Sequence, residues 1–302
     1  MTQEFENLLE LLKNQDESYV NLGFMLAEHY QQEFAAYFGC DLENYQALHL
    51  FSKQYRKWVI GTPLSSVIAL EIYNQTLEIP PAIRFLTNLK TLRFSHNQLK
   101  TLPYEIGELK SLQMLNLVNN QLEVFPNEIV ALKNLKILFL GKNYLQKLPV
   151  AIKELQKLQK LDINTNNIKD LPTEINQLQS LQLLNLSHNQ IVTIQKEIMQ
   201  LKKIQFLILC NNQISILPSE IKDLQNLVEL DLANNQLQNL PKEIGLLTHL
   251  RKLRLSNNQL QNLPKEIKKL QKLRNLALSG NLFSIAEQEN IKKMLPRCTI
   301  TF

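Results

Sequence analysis

The chain of 302 residues contains only seven glycines and three cysteines. No glycine belongs to a G-x-G-x-x-G or G-x-x-x-x-G-K loop of the kind that holds phosphate groups, and the motifs G-x-S-x-G and H-E-x-x-H do not occur. Cys40, Cys210 and Cys298 are far apart and odd in number, which argues against a disulfide framework. His29, Cys40 and His49 match no zinc-ligand spacing. We therefore expect a protein that is not an enzyme and that holds no cofactor or metal ion.

The sequence also lacks any run of about 18 or more apolar residues, so it predicts no membrane-spanning helix. Its first residues, MTQEFENLLELLKNQDE, are acidic and have neither the basic region nor the small-residue cleavage site of a signal peptide. As written, this start favours a cytoplasmic protein. A secreted protein whose leader was removed, or one exported without a leader, would have the same sequence.

Aromatic residues are few, and 11 of the 21 lie in residues 1–63. This region carries nine acidic and four basic side chains, a balance of −5, whereas residues 64–302 carry 29 basic and 19 acidic side chains, a balance of +10. Opposite charge balances in two parts of one chain indicate two structural units. Residues 1–63 contain no copy of the regularly repeated leucine spacing that fills residues 64–302.

Apolar spacing in residues 1–63 predicts three helices. The first lies around Leu8 to Leu12 and the third runs from Leu42 to Trp58, before Gly61 and Pro63. The second would bury one continuous face, made of Tyr19, Leu22, Leu26, Tyr30, Phe34 and Phe38. Gly39 and Asp41 suit a helix C-cap and the next N-cap. We expect these helices to form an N-terminal cap on the region that follows, because a stack of repeats needs a cover over its apolar end.

An asparagine recurs every 23 residues and each time closes the pattern L-x-x-L-x-L-x-x-N. The series is Asn97, Asn120, Asn143, Asn166, Asn189, Asn212, Asn235, Asn258 and Asn281. Most copies continue as Q-L-x-x-L-P-x-E-I-x-x-L. A fixed period of about 20–50 residues is typical of a solenoid. Residues 64–302 are therefore predicted to form one repeat domain.

The repeat domain has irregular ends. Residues 67–88 form a degenerate first unit in which Gln75 replaces the asparagine, and residues 89–283 hold the regular units. After Asn281, the sequence predicts a helix from about Glu287 to Leu295 and then an edge strand in CTITF. We expect residues 284–302 to form a C-terminal cap with which the protein ends.

The spacing within one unit predicts its structure. Alternating leucines point inward from a short strand, and strands of successive units stack in parallel on the inner, concave side. The asparagine side chains satisfy backbone groups at the following turn and form a continuous hydrogen-bonded row. The L-P-x-E-I segment begins a helix on the outer, convex side, with proline as its first residue. Gln195 takes the place of this proline in one unit.

The unit L-x-x-L-x-L-x-x-N-x-L-x-x-L-P-x-E-I-x-x-L-x-x resembles the typical 23-residue class of leucine-rich repeat, found in Ras-associated scaffold proteins and in bacterial proteins, including those of spirochaetes. The closing IKKMLPRC-x-I-x-F is similar to the caps of the bacterial group. The resemblance covers residues 67–302. It implies an α/β solenoid, a right-handed horseshoe with a parallel sheet on the concave face, which binds proteins there. A bacterial scaffold or host-interaction protein is the implied role.

The residues beside the inward leucines give a map of the predicted concave face. Several middle units place apolar side chains at these outward positions, namely Met114, Val118, Ile137, Phe139, Leu183, Phe206 and Ile208. Later units place charged side chains there, namely Glu229, Asp231, Lys252 and Arg254. An apolar patch with a polar rim is typical of a protein-binding surface, although apolar residues also favour strands for structural reasons. We predict that a protein partner binds these residues, with Phe139 and Phe206 as anchors.

A second interpretation comes from the basic excess at the end of the chain. Residues 242–302 carry twelve of the basic side chains, which favours adhesion to an acidic polysaccharide or another acidic surface. Nucleic acid is a weaker candidate, because no aromatic residues alternate with these lysines to stack on bases.

Overall fold

The computed structural model describes residues 2–14, 17–53, 63–73 and 78–302. Five α-helices lie in these residues: α1 (Gln3–Leu12), α2 (Glu17–Ala27), α3 (Gln31–Phe38), α4 (Leu42–Lys53) and α5 (Ile285–Met294). Eleven strands of three residues each follow the repeat: β1 (Ala69–Glu71), β2 (Thr91–Arg93), β3 (Met114–Asn116), β4 (Ile137–Phe139), β5 (Lys160–Asp162), β6 (Leu183–Asn185), β7 (Phe206–Ile208), β8 (Glu229–Asp231), β9 (Lys252–Arg254), β10 (Asn275–Ala277) and β11 (Thr299–Thr301). In the described part of the chain, no helix has the length and apolar character needed to span a membrane.

The N-terminal helices differ from the predicted three. The second predicted helix is two helices, α2 and α3, separated by a turn at Glu28 and His29. Its predicted buried face is also wrong within α2, where Tyr19, Leu22 and Leu26 are exposed while other residues are buried. The buried residues of this helix include Val20, Phe24 and Ala27. The turn interrupts the helical spacing, so one continuous face does not run through both helices.

The predicted caps between α3 and α4 agree with the structure. Gly39 ends α3 in the left-handed conformation, with φ of 83°, which glycine adopts at little cost. The carboxylate of Asp41 accepts the backbone N–H of Asn44 at 2.9 Å. This hydrogen bond holds the pKa of Asp41 below its ordinary value, as does the more distant charge of Arg84. Tyr55, Trp58 and Gly61, like Gln75, lie outside the described residues.

Strands β1 to β9 are each followed by a 3₁₀ helix of five residues rather than an α-helix. These lie at Pro81–Phe85, Tyr104–Glu108, Asn127–Ala131, Val150–Glu154, Thr173–Gln177, Lys196–Gln200, Ser219–Asp223, Lys242–Leu246 and Lys265–Lys269, with a shorter one at Leu64–Ser66. The prediction of proline at the first helical position is wrong by one residue. Pro172, for example, is the N-cap, with extended φ and ψ of −67° and 147°. Its fixed φ suits this extended residue just before the helix.

Two compact units make up the chain. The N-terminal unit comprises residues 1–121 and 126–135, and the C-terminal unit comprises residues 122–125 and 136–302. Within the first, β1, β2 and β3 pair in parallel. Within the second, β4 to β11 pair in parallel in chain order. The central leucines of β4 to β10 lie opposite one another, and Leu276 of β10 lies opposite Ile300 of β11. The leucine core is buried in both units, so the predicted α/β solenoid of parallel strands and short helices is confirmed.

Buried asparagines connect successive repeats. The amide nitrogen of Asn189, for example, donates to the backbone oxygens of Ile163 and Leu186, both at 3.0 Å. Its side-chain oxygen accepts the N–H of Ile168 at 3.0 Å. One side chain therefore satisfies backbone groups of its own repeat and of the preceding one, which neither strand nor helix pairs.

The residue before each of eight asparagines has a positive φ between 51° and 58°. These residues are His96, Asn119, Lys142, Thr165, His188, Asn211, Asn234 and Asn257, and Gly280 completes the row with φ of 72°. Four of the eight are asparagine, which tolerates this conformation better than most residues. The positive φ of this turn therefore explains why a second asparagine often precedes the buried one, which the hydrogen bonds of the buried asparagines do not explain.

The last helix and strand close the described chain. Helix α5 begins two residues earlier than predicted, and Ser284 caps it by accepting the N–H of Glu287 at 3.2 Å. Ile291 and Leu295 are buried beneath it. The predicted terminal strand is β11, which pairs in parallel with β10.

Gln195 provides a test of the proline rule. Its φ of −72° lies between those of Pro149 and Pro264 at the same position, −75° and −63°, and within the described residues its N–H donates no hydrogen bond. Its buried side-chain oxygen likewise has no hydrogen-bond partner there. We expect Gln195→Pro to raise the free energy of unfolding by about 0.4–1 kcal/mol, because proline restricts the unfolded chain. Urea denaturation would measure it, with Gln195→Ala separating side-chain removal from the proline effect. Equal stability of the two variants would contradict this account.

Candidate functional site

The outward side chains of β4 to β10 form a surface that we call the strand face of the C-terminal unit. In each strand the central leucine points into the core, and the first and third residues point to the opposite side. The first residues are Ile137, Lys160, Leu183, Phe206, Glu229, Lys252 and Asn275. The third residues are Phe139, Asp162, Asn185, Ile208, Asp231, Arg254 and Ala277. This surface contains most of the residues that the sequence predicts for partner binding.

An apolar cluster lies on two adjacent strands of this surface. Register places Leu183 of β6 opposite Phe206 of β7, and Ile208 follows two residues along β7. All three side chains are half-buried rather than fully exposed. We call these three residues the apolar cluster. Because neighbouring strands already order these side chains, a partner that covers them would remove further apolar area from water with little loss of side-chain entropy.

Polar side chains separate this cluster from the second apolar pair, Ile137 and Phe139. Lys160 and Asp162 of β5 lie between them in the register. Asp162 accepts a hydrogen bond from the amide of Asn185 at 3.1 Å and from that of Asn164 at 2.6 Å. We call Asp162, Asn164 and Asn185 the polar strip. These hydrogen bonds hold its side chains in one arrangement.

The Asn164 side chain of this strip lies over Gly141. A Cβ atom added to Gly141 would stand 2.5 Å from the Asn164 amide nitrogen, closer than atoms can approach. Because glycine has no Cβ atom, Gly141 leaves space for the Asn164 side chain. A side chain at this position would displace Asn164 from Asp162.

Four charged side chains border the apolar cluster on its other side. Glu229 bonds to Arg254 and lies 3.6 Å from Lys252, and Asp231 lies 3.3 Å from Arg254. The carboxylate side chains are only 13% and 11% exposed, whereas Lys252 and Arg254 are 49% and 43% exposed. Burial tends to lower the pKa of Arg254, but the two carboxylates outweigh this effect and raise it. Of the four predicted contact residues, the two bases are therefore the accessible ones.

Two predicted contact residues belong to the N-terminal unit. Met114 is the first residue of β3 and is half-buried, as is Val118, which follows this strand. In the same unit, Glu71 and Arg93 form an ion pair between β1 and β2. Strand pairing brings the remaining predicted residues together within the C-terminal unit, at the places described above.

No arrangement of catalytic type appears near the strand face. Burial raises the pKa of the Cys210 thiol, and the Asp231 carboxylate raises it further, so the thiol stays protonated at neutral pH. His188 lies in the turn after β6, where its ring contacts the side-chain amide of Asn211 of the next repeat at 3.1 Å. Throughout the described ranges, no three histidine, cysteine or acidic side chains come together as metal ligands would.

The ion pairs were missed in the sequence, although a signal for them exists. Residues 23 apart occupy equivalent positions on adjacent repeats, so Glu229 and Lys252, like Asp231 and Arg254, lie opposite each other. Opposite charges at the repeat period therefore predict ion pairs between strands. The same rule finds Glu71 and Arg93, which are 22 apart because the first repeat is one residue short.

Comparison with known proteins agrees with this architecture. A family model described as "leucine-rich repeat region" matches residues 66–166 and 193–295. A second, described as "leucine rich repeat", matches residues 156–214. No match was found among curated protein sequences.

Solved structures give the same answer. A leucine-rich repeat protein of Leptospira interrogans is 45% identical over 80% of this chain, with a TM-score of 0.78, and this chain spans 63% of that protein. A second structure is the leucine-rich repeat ectodomain of an Arabidopsis thaliana membrane receptor kinase, solved in complex with Casparian strip integrity factor 2. It is 32% identical over 74% of this chain and 28% of its own length, with a TM-score of 0.66. An internalin of Listeria monocytogenes shares the fold, at 21% identity over 85% of this chain and 87% of its own and a TM-score of 0.61. The chain belongs to the leucine-rich repeat family.

Proposed function

We propose that this protein is a non-enzymatic binding module that holds a protein partner against the strand face of its C-terminal unit. The apolar cluster of Leu183, Phe206 and Ile208 carries the proposal, because apolar side chains outside the core have no role in packing the leucine layer. Phe206 is the expected anchor, since aromatic residues contribute disproportionately to interface energies. The accessible ends of Lys252 and Arg254 supply a polar rim.

The relatives support protein binding in general. The 32% identical receptor ectodomain was solved in complex with Casparian strip integrity factor 2. A plant peptide hormone receptor, solved in complex with RGF2, is 29% identical to this chain. These complexes belong to those proteins, and they support a partner of protein or peptide nature here. The 45% identity to a Leptospira interrogans protein supports a bacterial setting. A scaffold or host-interaction role there is the finer part of the proposal.

The fixed polar strip supports a defined orientation of the partner. Asp162 and Asn185 are held by hydrogen bonds within the strand face, so a partner meets one arrangement of donors and acceptors. A preorganised surface loses less side-chain entropy when it binds. Specificity would then come from this strip and the charged rim, and affinity from the apolar cluster.

The central test replaces Phe206 by aspartate. We expect Phe206→Asp to weaken partner binding by at least about 30-fold, which corresponds to a hot-spot loss of about 2 kcal/mol. Affinity capture from a cell extract, with the captured proteins identified by mass spectrometry, would find the partner. Titration of the purified partner would then measure the affinity of each variant.

Ile216→Asp is the matched control. Ile216 also lies in the C-terminal unit and is 71% exposed, but it is not part of any strand. Both changes place one carboxylate where a large apolar side chain stood. A partner retained by the wild type and the Ile216 variant, and lost only by the Phe206 variant, supports the strand face. Equal retention by all three proteins would reject it, provided that melting temperatures agree within about 4 °C.

A further inference from the structure

A cleft lies between the last 3₁₀ helix, Lys265–Lys269, and the end of α5. Its volume is about 820 Å³. Four cationic side chains line it: Lys268, Lys269, Lys293 and Arg297. We call it the C-terminal cleft, and it lies wholly within the C-terminal unit, away from the apolar cluster.

The walls of the cleft carry charge of one sign. No aspartate or glutamate lines it, and among the described residues none of the four cations lies within ion-pair distance of a carboxylate. Lys292, by contrast, pairs with Glu289 at 2.9 Å and is not part of the lining. Glu289 acts on Lys293 only from beyond ion-pair distance, so the cleft presents four cations without a described carboxylate in direct contact.

The floor of the cleft is apolar and adds no negative side chain. Leu270, Leu273 and Leu295 are nearly inaccessible to solvent. Burial raises the pKa of the Cys298 thiol to about 11, against the opposing charge of Arg274, so this lining group stays neutral. Cationic walls over a low-dielectric floor strengthen the positive potential inside a cleft. The carbonyl end of α5 opposes this effect in part, and Lys293 in its last turn offsets it.

The basic surface continues beyond the cleft. Arg274 is exposed just before β10, and its backbone N–H donates to the backbone oxygen of Arg251, on the adjacent repeat, at 2.9 Å. Arg251 is exposed as well. The cations thus extend from α5 across the last 3₁₀ helix to two neighbouring repeats. A row of this kind suits a linear polymer with repeated anionic groups better than a single small anion.

The lining also discriminates between polyanions. It contains no aromatic ring on which a nucleic-acid base would stack. The cations of the lining and the adjacent arginines are spaced along the surface rather than gathered at one point, so they can meet anionic groups that recur along a chain. These features favour a sulfated chain whose charges are met one by one.

We propose that the C-terminal cleft and the adjacent arginines bind a sulfated polysaccharide. This activity is separate from partner binding on the strand face, so the two proposals fail independently. Affinity comes from charge and release of counterions, and it therefore falls steeply as salt is raised.

The test measures binding of heparin oligosaccharides to the full chain at several salt concentrations. The quadruple variant Lys268→Gln, Lys269→Gln, Lys293→Gln and Arg297→Gln is expected to bind on the order of tenfold or more weakly at low salt and to show a shallower salt dependence. The matched control removes four exposed or half-exposed lysines elsewhere in the same unit: Lys142, Lys147, Lys153 and Lys169, each to glutamine. Both variants have the same net charge. Phe206→Asp is expected to bind heparin as the wild type does.

Three outcomes overturn the proposal. One is absence of heparin binding by the wild type at low salt, and another is equal weakening in both quadruple variants, which would show that net charge alone decides. The third is tighter binding to double-stranded DNA or to vesicles containing phosphatidylserine than to heparin at the same salt. Selective loss in the cleft variant, with weaker binding of desulfated heparin, supports it.

Discussion

Leu184→Ala is expected to lower the free energy of unfolding by about 2–5 kcal/mol, whereas Leu183→Ala is expected to lower it by about 1 kcal/mol or less. The two leucines are neighbours in β6, but Leu184 has no exposed area and Leu183 is half-buried on the strand face. Truncating Leu184 removes buried contacts and leaves a cavity that the stacked repeats cannot close. Truncating Leu183 leaves a gap that water can fill.

Urea denaturation of both variants, followed by circular dichroism, would measure this difference. Leu183→Ala is the control for Leu184→Ala, because both variants lose three carbon atoms from the same residue type. Partner binding should show the opposite order, with a larger loss for Leu183→Ala. Similar losses of stability for the two variants would contradict the assignment of faces on which the binding proposal rests.

Asn212→Ala is expected to lower the free energy of unfolding by about 2–5 kcal/mol, as much as loss of a core leucine. The Asn212 side chain donates to the oxygens of Leu186 and Leu209, both at 3.0 Å. It also accepts the N–H of Ile191 at 3.0 Å. Alanine leaves buried backbone groups in two repeats without this partner, and each unsatisfied group costs about 1–3 kcal/mol.

Gln213→Ala provides the comparison for this prediction. Gln213 is the next residue and its side chain is exposed, so its loss should change stability by no more than about 0.5 kcal/mol. Hydrogen exchange would add local detail, since the amide of Ile191 should lose protection in the Asn212 variant before the rest of the chain unfolds. Unchanged protection of that amide would mean that the backbone finds another partner.

Where the sequence is periodic, it predicts the structure well. Nine copies of one spacing identify the inward leucines, the short strands and the asparagine turns, because each residue type suits a single environment that recurs. The outward positions follow from the same alternation, which is why Leu183, Phe206 and Ile208 were identifiable as a candidate site. Their role in binding is a prediction, which Phe206→Asp tests.

Where the period is absent, local spacing is a poor guide. Residues 17–38 contain apolar side chains at helical intervals, yet the helix is interrupted between Ala27 and Gln31. Tyr19, Leu22 and Leu26 are exposed. Several faces of this aromatic-rich region satisfy the same spacing. Packing against α1 and α4 decides which face is buried, and a single sequence does not contain that information.

The repeat, the parallel strands and the residues that point away from the core could all be predicted before the structure, since each depends only on spacing along the chain. The packing of the folded chain, in contrast, decided how exposed those residues are and that Glu229 and Asp231 are shielded by Arg254. It also decided that Lys268 and Lys269 meet Lys293 and Arg297 around one cleft. These properties depend on packing between segments that no shared period relates, because α5 lies outside the repeat and its position follows from burial of Ile291 and Leu295.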